Sequence, residues 1–309
     1  MTRRPLAEAM ADGPVLLDGG LASQLEAMGH DLSGALWSGE LLVKEPAQVG
    51  LAHLRFFSAG ARVATTASYQ LSYEGLRRIG MDRAEADALF RRSVQMAHLA
   101  RAGVLDTDDA WVATSVGPYG AALADGSEYR GDYGLTVAEL RAWHRPRLAV
   151  LSETVTDGDA DVLAIETIPC LAEAEALLAE VAGTGVPCWL SLTCASPSTT
   201  RAGEPVAEAF EMAADVAEVI AVGVNCLPPD DARRLVPTAA RISGKPVVVY
   251  PNSGEQWDAV ARTWTGSAAL LPAEAPGLVA DGARLVGGCC QVLPDEIAAM
   301  KDALDGQMP

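Results

Sequence analysis

The chain has 309 residues and a formal net charge of −18, from 41 acidic and 23 basic side chains. This charge argues against binding to nucleic acids and to anionic membrane surfaces, because both are negative. Half of the residues are hydrophobic but only 5% are aromatic, which predicts a large, mainly aliphatic core. No stretch reaches the roughly 18 apolar residues of a membrane span, and no apolar signal segment follows the first residues. A cytoplasmic protein is therefore expected, while the oligomeric state is left open.

Short apolar runs alternate with long alanine-rich helical patterns. In chain order, strands are predicted at residues 14–20, 61–68, 110–120, 161–167, 187–194, 219–226, 245–250 and 283–290. Nearly continuous apolar character is typical of parallel strands covered on both faces. The α/β alternation predicts one (β/α)8 TIM-type barrel, with residues 1–309 as a single domain. A doubly wound sheet is the alternative, but no glycine-rich nucleotide-binding motif follows any strand.

The active sites of (β/α)8 barrels lie at the C-terminal ends of the strands. In this sequence those ends carry Asp18 to Gly20, Thr65 to Tyr69, Gly117 to Tyr119, Glu166 and Thr167, Cys194, Asn225 and Cys226, Tyr250 to Asn252, and Cys289 and Cys290. We therefore expect carboxylates, hydroxyls and thiols to converge on one face of the barrel.

Two adjacent cysteines, Cys289 and Cys290, follow two glycines. Neighbouring cysteines form a strained disulfide but a good chelate, because glycine lets the backbone bend until both thiolates reach one ion. Cys226 ends the sixth predicted strand, so three thiolates are expected to meet around one ion. Three protein ligands and one open position are typical of catalytic zinc, and an all-sulfur donor set favours Zn²⁺ over Mg²⁺ or Ca²⁺.

Other interpretations of these cysteines remain open. They could be small buried hydrophobes, a non-catalytic zinc–thiolate site with a fourth protein ligand, or a metal-free redox pair, although the CxxC spacing is missing. Cys194 also ends a strand and is interpreted either as a core thiol or as a thiol that lies behind the metal ligands. Imidazole ligands are not expected, because His30, His53, His98 and His144 lie away from the predicted strand ends.

Several segments resemble the homocysteine S-methyltransferase superfamily. GVNC and GGCC, which contain the three cysteines, resemble its zinc signature, and LLDGGLASQLE and TTASYQLS are similar to the same family. GPYGAALADGSEYRGDY and YPNSGEQWD are similar to the branch that uses S-methylmethionine or S-adenosylmethionine. The resemblance runs from about residue 14 to 300. It implies a zinc-dependent transfer of a methyl group from a sulfonium donor to the thiol of L-homocysteine, giving methionine.

The resemblance also implies roles around the metal. Cys226, Cys289 and Cys290 match the three zinc ligands of the family, and Tyr69 matches a tyrosine beside the metal. Trp37, in the segment GALWSGE, matches a tryptophan near the donor pocket.

For homocysteine, the resemblance implies a second set of residues. Asp18 and Glu166 match the carboxylates that hold its amino group, and Gly19 and Thr65 match positions that receive its carboxylate. Without the thiols, a simple strand-to-loop turn would be the favoured interpretation of Asp18, Gly19 and Gly20. Glu166 is equally consistent with a cap of the following helix.

Two departures from the betaine-using branch of the family favour a sulfonium donor. Where that branch has a tyrosine after the strand-four glutamate, this chain has Thr167, and the long C-terminal extension is missing after Pro309.

Tyr119, Tyr129 and Tyr133, in the loop after strand three, are interpreted either as loop packing or as a lid over a cationic donor. Selenohomocysteine or selenocysteine is the alternative acceptor, because a selenolate suits the same soft site.

Overall fold

The structure is a computed structural model that describes residues 3–32, 38–104, 109–258, 263–269 and 272–306. Its centre is a sheet of eight parallel strands: β1 (Val15–Leu16), β2 (Val63–Thr65), β3 (Trp111–Val116), β4 (Val162–Ile168), β5 (Cys188–Leu192), β6 (Val219–Asn225), β7 (Val247–Tyr250) and β8 (Ala283–Val286). Neighbouring strands follow the order β1-β8-β7-β6-β5-β4-β3-β2, and a parallel bridge between Leu17 and Val63 joins β1 to β2. The sheet closes on itself, so the prediction of a (β/α)8 barrel is confirmed.

Helices pack around the barrel. They are α1 (Leu6–Asp12), α2 (Leu21–Ala27), α3 (Ser38–Lys44), α4 (Pro46–Ser58), α5 (Tyr73–Arg78), α6 (Arg83–Ala102), α7 (Tyr119–Leu123), α8 (Val137–Thr156), α9 (Leu171–Val181), α10 (Val206–Ala214), α11 (Pro229–Ser243), α12 (Ala275–Ala280) and α13 (Pro294–Asp305). The loops contain two antiparallel hairpins, Cys194–Ser196 with Thr199–Thr200 and Gln256–Asp258 with Thr263–Thr265, and the 3₁₀ helices Ser127–Tyr129 and Pro272–Glu274. Within the described ranges, no helix is long and apolar enough to span a membrane.

Apolar side chains fill both sides of the strands. The larger cluster lies between the barrel and its helices, where the aliphatic faces of the helices meet the outer strand residues. A second cluster fills the barrel interior, where Trp111 and Trp189 are fully buried. Helix α1 joins this inner cluster through Leu6 and Met10, and the Trp111 Nε1 donates to the Arg4 carbonyl at 2.8 Å. Because α1 covers the N-terminal end of the barrel, the polar strand ends lie at the opposite mouth.

Six of the eight strands end earlier than their apolar runs predicted, and β3 and β5 illustrate this. The run 110–120 forms a strand only as far as Val116, because Pro118 has no N–H to donate to a neighbouring strand, and α7 begins directly after it. The run 187–194 also stops short, and Cys194 pairs in the first hairpin instead of in the barrel sheet. Apolar character therefore located each strand but overestimated its length.

Candidate metal centre and active site

Three thiols meet at the C-terminal mouth of the barrel. Cys226 directly follows β6, and Cys289 and Cys290 follow β8. Their Sγ atoms all lie within 4.8 Å of one another, with 3.7 Å from Cys226 to Cys290 and 3.9 Å from Cys289 to Cys290. A tetrahedral zinc with Zn–S bonds of about 2.3 Å requires S···S separations of about 3.8 Å. The donor atoms therefore fit a soft metal ion, and no fourth His, Cys, Asp or Glu of the described residues joins them within that distance.

Close backbone contacts place the cysteines. Cys226 has φ of 54°, in the left-handed region, so the chain turns sharply after β6. A Cβ on Gly287 would lie 2.6 Å from the Leu17 Cβ and 2.7 Å from the Asp18 carbonyl oxygen, and the Gly288 N–H donates to that same oxygen at 3.0 Å. Neither glycine adopts a left-handed conformation. Gly287 is thus required for close approach to the end of β1, and Gly288 for close approach to the Val292 side chain, rather than for a left-handed bend.

The loop after β7 fixes the backbone of the cysteine pair. The Cys289 N–H donates to the Pro251 carbonyl at 2.7 Å, and the Cys290 N–H donates to the Asn252 Oδ1 at 3.2 Å. The Ser253 N–H in turn donates to the Cys290 carbonyl at 2.9 Å. The segment YPNSG therefore orients the thiols through the main chain.

The three thiols share their protons unequally. Hydrogen bonds from Cys289 and Cys290 lower the pKa of Cys226 well below its usual value, and Tyr129 and the charge of Arg201 act in the same direction. The bonds made to Cys226 raise the pKa of Cys289 and of Cys290 well above the usual value. Within the cluster, Cys226 therefore loses its proton more readily than its two neighbours. A soft cation suits this arrangement, because its binding requires deprotonated ligands and releases the shared protons.

Tyr129 reaches the cluster from the loop after β3, and its hydroxyl donates to the Cys226 Sγ at 3.1 Å. We expect Tyr129→Phe to weaken metal binding about fivefold, since loss of one such hydrogen bond costs about 1 kcal/mol. Competition with a chelator, followed by metal analysis, measures this change. Tyr133→Phe is the matched control, because the Tyr133 hydroxyl lies in the same loop and forms no hydrogen bond to any of the three thiols. Equal metal affinity in the two variants would contradict the expectation.

Asp18 lies just beyond β1, beside the thiol cluster. Its carboxylate is 3% exposed and accepts from the Thr65 N–H at 2.7 Å and from the Thr65 hydroxyl at 3.2 Å. Burial raises the pKa of Asp18 to about 8, and the two Thr65 bonds only partly oppose this. A Cβ on Gly19 would collide with the Val292 carbonyl and the Phe56 ring. The segment DGG is therefore a packed structural element as well as a turn.

Glu166 lies within β4 and points toward the same mouth. Its two carboxylate oxygens accept from the Ser115 hydroxyl and, at 3.1 Å, from the Tyr250 hydroxyl. Burial raises the pKa of Glu166 to about 7, against the effect of both bonds, and its charge also contributes to the raised pKa of Asp18. Because Glu166 is bonded inside the barrel and α9 begins only at Leu171, it does not cap that helix. Two buried carboxylates thus act on each other and lack a cationic partner among the described residues.

Thr167 occupies the position after this glutamate, and its backbone has φ of 60°, which is unusual for a β-branched residue. Asn225 holds it from β6: the amide oxygen accepts from the Thr167 N–H at 2.8 Å and from the Ser191 hydroxyl at 2.7 Å, while Nδ2 donates to the Thr167 hydroxyl at 2.7 Å. The Tyr69 hydroxyl also bonds to Thr167, and burial raises the pKa of Tyr69 well above its usual value, with Cys226 among the nearby charges. Tyr69 therefore lies at the mouth beside the thiols.

Some residues singled out from the sequence lie elsewhere. Trp37 is outside the described residues. Tyr119 packs edge-to-face against Tyr133 and Trp143, with ring centroids 5.2 Å and 5.1 Å apart, which favours loop packing over a lid for these two tyrosines. Cys194 is buried away from the thiol cluster, and burial raises its pKa to about 12.

Three polar residues at the mouth were not found by sequence reasoning. Ser115 bonds to Glu166, Glu128 is buried beside Tyr129, and the Arg201 guanidinium lies 5.3 Å from the centre of the Tyr129 ring. Residues 111 and 113 of β3 face the barrel interior, so strand alternation could have identified Ser115 as inward-facing. The other two lie on loops, where no periodicity indicates the direction of a side chain.

Comparisons with known proteins agree with this geometry. The sequence model of the family described as homocysteine S-methyltransferase matches residues 15–304. The chain belongs to the homocysteine S-methyltransferase family. The homocysteine S-methyltransferase of Escherichia coli (strain K12) is 42% identical over 93% of this chain and 94% of the relative, and homocysteine S-methyltransferase YbgG of Bacillus subtilis (strain 168) is 40% identical over 92% of each. The family resemblance stated from the sequence motifs is confirmed.

A solved structure extends the match to three dimensions. The homocysteine methyltransferase MmuM from Escherichia coli, in its metallated form, superposes with a TM-score of 0.84 at 38% identity. The match covers 95% of this chain and 98% of that chain. The homocysteine S-methyltransferase fold thus spans nearly all of the molecule.

Proposed function

We propose that the protein transfers a methyl group from a sulfonium donor to the thiol of L-homocysteine, giving methionine, with a zinc ion held by Cys226, Cys289 and Cys290. The observation that carries this proposal is the convergence of three thiols and two unpaired buried carboxylates at one barrel mouth. Membership of the homocysteine S-methyltransferase family supports the acceptor and the reaction.

The donor set supports zinc as the metal. Three thiolates are soft ligands, and their separations suit a tetrahedral ion with one position left open. Zinc bound there would supply a position at which the homocysteine thiol loses its proton, leaving a thiolate nucleophile at neutral pH. The absence of a fourth described protein ligand supports a catalytic site over a closed structural one.

The two buried carboxylates are the proposed site for the amino group of homocysteine. An ammonium group placed between Asp18 and Glu166 would offset the cost of burying two like charges and would favour their ionised forms. Gly19 and Thr65 are the proposed contacts of the substrate carboxylate. Both Thr65 donors bond to Asp18 in this structure, so the substrate carboxylate has to share or replace one of these bonds.

Methyl transfer then needs alignment of two sulfur atoms. A bond forms between the homocysteine sulfur and the methyl carbon, the bond from that carbon to the donor sulfur breaks, and its electron pair stays on the donor sulfur. The residues that hold the amino acid contribute by fixing the attacking sulfur at the mouth, since correct placement alone removes a large part of such a barrier. The donor leaves as a neutral thioether.

Donor preference tests the proposal directly. We expect methionine formation from S-methylmethionine, slower formation from S-adenosylmethionine, and none detectable from betaine. A sulfonium leaves as a neutral thioether without further activation, whereas the pocket of the betaine-using branch contains a tyrosine where this chain has Thr167. The measurement is turnover of the zinc-loaded protein with homocysteine and each donor in parallel. Betaine turnover comparable to the sulfonium rates would overturn the donor assignment, and absence of methionine with every donor would overturn the function.

A further inference from the structure

Glu128 is a buried acid that has no role in the site described so far. It lies in the 3₁₀ helix Ser127–Tyr129, in the loop after β3, and is only 4% exposed. Its Oε2 has no hydrogen-bond partner, and no ion pair among the described residues includes it. Burial raises its pKa to about 7. A buried carboxylate without a partner is costly to maintain, so such a group is a candidate ligand contact.

Glu128 belongs to the loop that reaches the thiol cluster. The next residue, Tyr129, donates to the Cys226 Sγ at 3.1 Å, and the charge of Glu128 acts on both Cys226 and Tyr69. The 3₁₀ helix itself is held in place, because a Cβ on Gly120 would collide with its backbone. Glu128 is therefore buried in a closely packed loop segment whose next residue contacts the thiol cluster.

This acid is separate from the proposed site for the amino group. Asp18 and Glu166 act on each other from the ends of β1 and β4, whereas the charges acting on Glu128 are Cys226, Asp125 and Arg130. The Arg130 guanidinium, which is more than half exposed, bonds to the Ser127 hydroxyl at 2.6 Å and does not reach Glu128. The mouth thus contains a further buried acid that forms no ion pair with a described residue.

A sulfonium group is a ligand that a buried carboxylate can recognise by its charge. A sulfonium has three carbon substituents and no N–H or O–H, so a protein recognises it by opposite charge and by contact with its carbons rather than by hydrogen bonds. The charge disappears when the methyl group leaves. A carboxylate facing the sulfonium therefore distinguishes the donor from the thioether that remains after transfer.

We propose that Glu128 contacts the sulfonium of the methyl donor and sets the preference of the site for a cationic donor over its neutral analogue. This inference rests on the proposed function and adds a residue that determines donor specificity. Because the donor loses its positive charge during transfer, the contact acts mainly on donor binding. Removal of the charge affects the KM for the donor more than kcat.

The test compares Glu128→Gln with Asp132→Asn, which removes a charge from the same loop at a side chain that is 74% exposed. In the zinc-loaded protein, we expect Glu128→Gln to raise the KM for S-methylmethionine about tenfold or more, as for loss of a charged contact. The KM for homocysteine and the zinc content should stay within twofold. Asp132→Asn should leave all three quantities within twofold of the wild type. Glu128→Asp, which keeps the charge, should recover part of the donor affinity.

A neutral isostere identifies which cation is recognised. In 2-amino-5-methylhexanoate a CH group replaces the sulfonium of S-methylmethionine, while the ammonium and carboxylate remain. We expect Glu128→Gln to leave its inhibition constant unchanged. Equal weakening of the donor and the isostere, or no change in either, would overturn the proposal. If the wild type forms no methionine, the proposed function fails. In that case the affinities of the wild type and of Glu128→Gln for the donor and for the isostere, measured by calorimetry, still decide whether Glu128 contacts the sulfonium.

Discussion

Cys226→Ala is expected to lose both the bound zinc and the methyltransferase activity, the latter by about a thousandfold or more. The physical reason is that the two remaining thiols provide too few protein ligands to hold a tetrahedral ion, and a catalytic metal contributes several kcal/mol to lowering the barrier. The measurement is the zinc content of purified protein together with methionine formation from homocysteine and S-methylmethionine. Cys289→Ala and Cys290→Ala should behave in the same way.

Cys194→Ala provides the matched control for this prediction. Its thiol is buried at the same mouth of the barrel but lies outside the thiol cluster, so zinc content should not change. Full zinc retention in Cys226→Ala would contradict the proposed ligand set. Loss of zinc from Cys194→Ala as well would show that any disturbance of this region releases the metal, and the assignment of individual ligands would fail.

Asp18→Asn is expected to weaken homocysteine binding by about 1.5–3 kcal/mol, or about ten- to 150-fold in the apparent constant, because a bond to a charged ammonium is lost. Asparagine keeps an oxygen that can accept from the Thr65 N–H, so the loop after β1 should stay in place. The measurements are the KM for homocysteine and the zinc content, and only the first should change.

Asp12→Asn is the control for that substitution, since Asp12 is an exposed acid at the end of α1 that pairs with Arg4. It should leave the KM for homocysteine unchanged. An unchanged KM in Asp18→Asn would mean that Asp18 serves only the packing of its loop against Thr65.

The barrel and the thiol cluster could be predicted from the sequence, because each follows from the alternation of strands and helices along the chain. Eight apolar runs alternating with helices indicated the closed sheet, and C-terminal strand ends meet at one mouth of such a sheet. Cys226 and Cys290 are 64 positions apart, yet their Sγ atoms lie 3.7 Å apart because both follow barrel strands. The same rule grouped Asp18 and Glu166 with them.

Residues on loops were not accessible in this way. Glu128 is buried in a 3₁₀ helix that packs closely against Gly120, a contact that no local pattern encodes. Tyr119, Tyr129 and Tyr133 look equivalent in sequence, but Tyr129 alone of the three bonds to Cys226, while the other two pack against each other. Direction of a side chain on a loop depends on tertiary contacts, and composition does not determine these.

The contact between the segments around Asp18 and Gly288 has a consequence for how the protein acquires its activity. These segments come from opposite ends of the chain and meet through the Gly288 N–H and the Asp18 carbonyl, at the seam where β1 joins β8. The seam can form only after residue 290 has been synthesised and the ring of strands has closed. An incomplete chain therefore has neither the carboxylate pair in place nor the three thiols together. A ligand held across this seam would bind the closed barrel in preference to open forms, so occupancy of the site and completion of the fold reinforce each other.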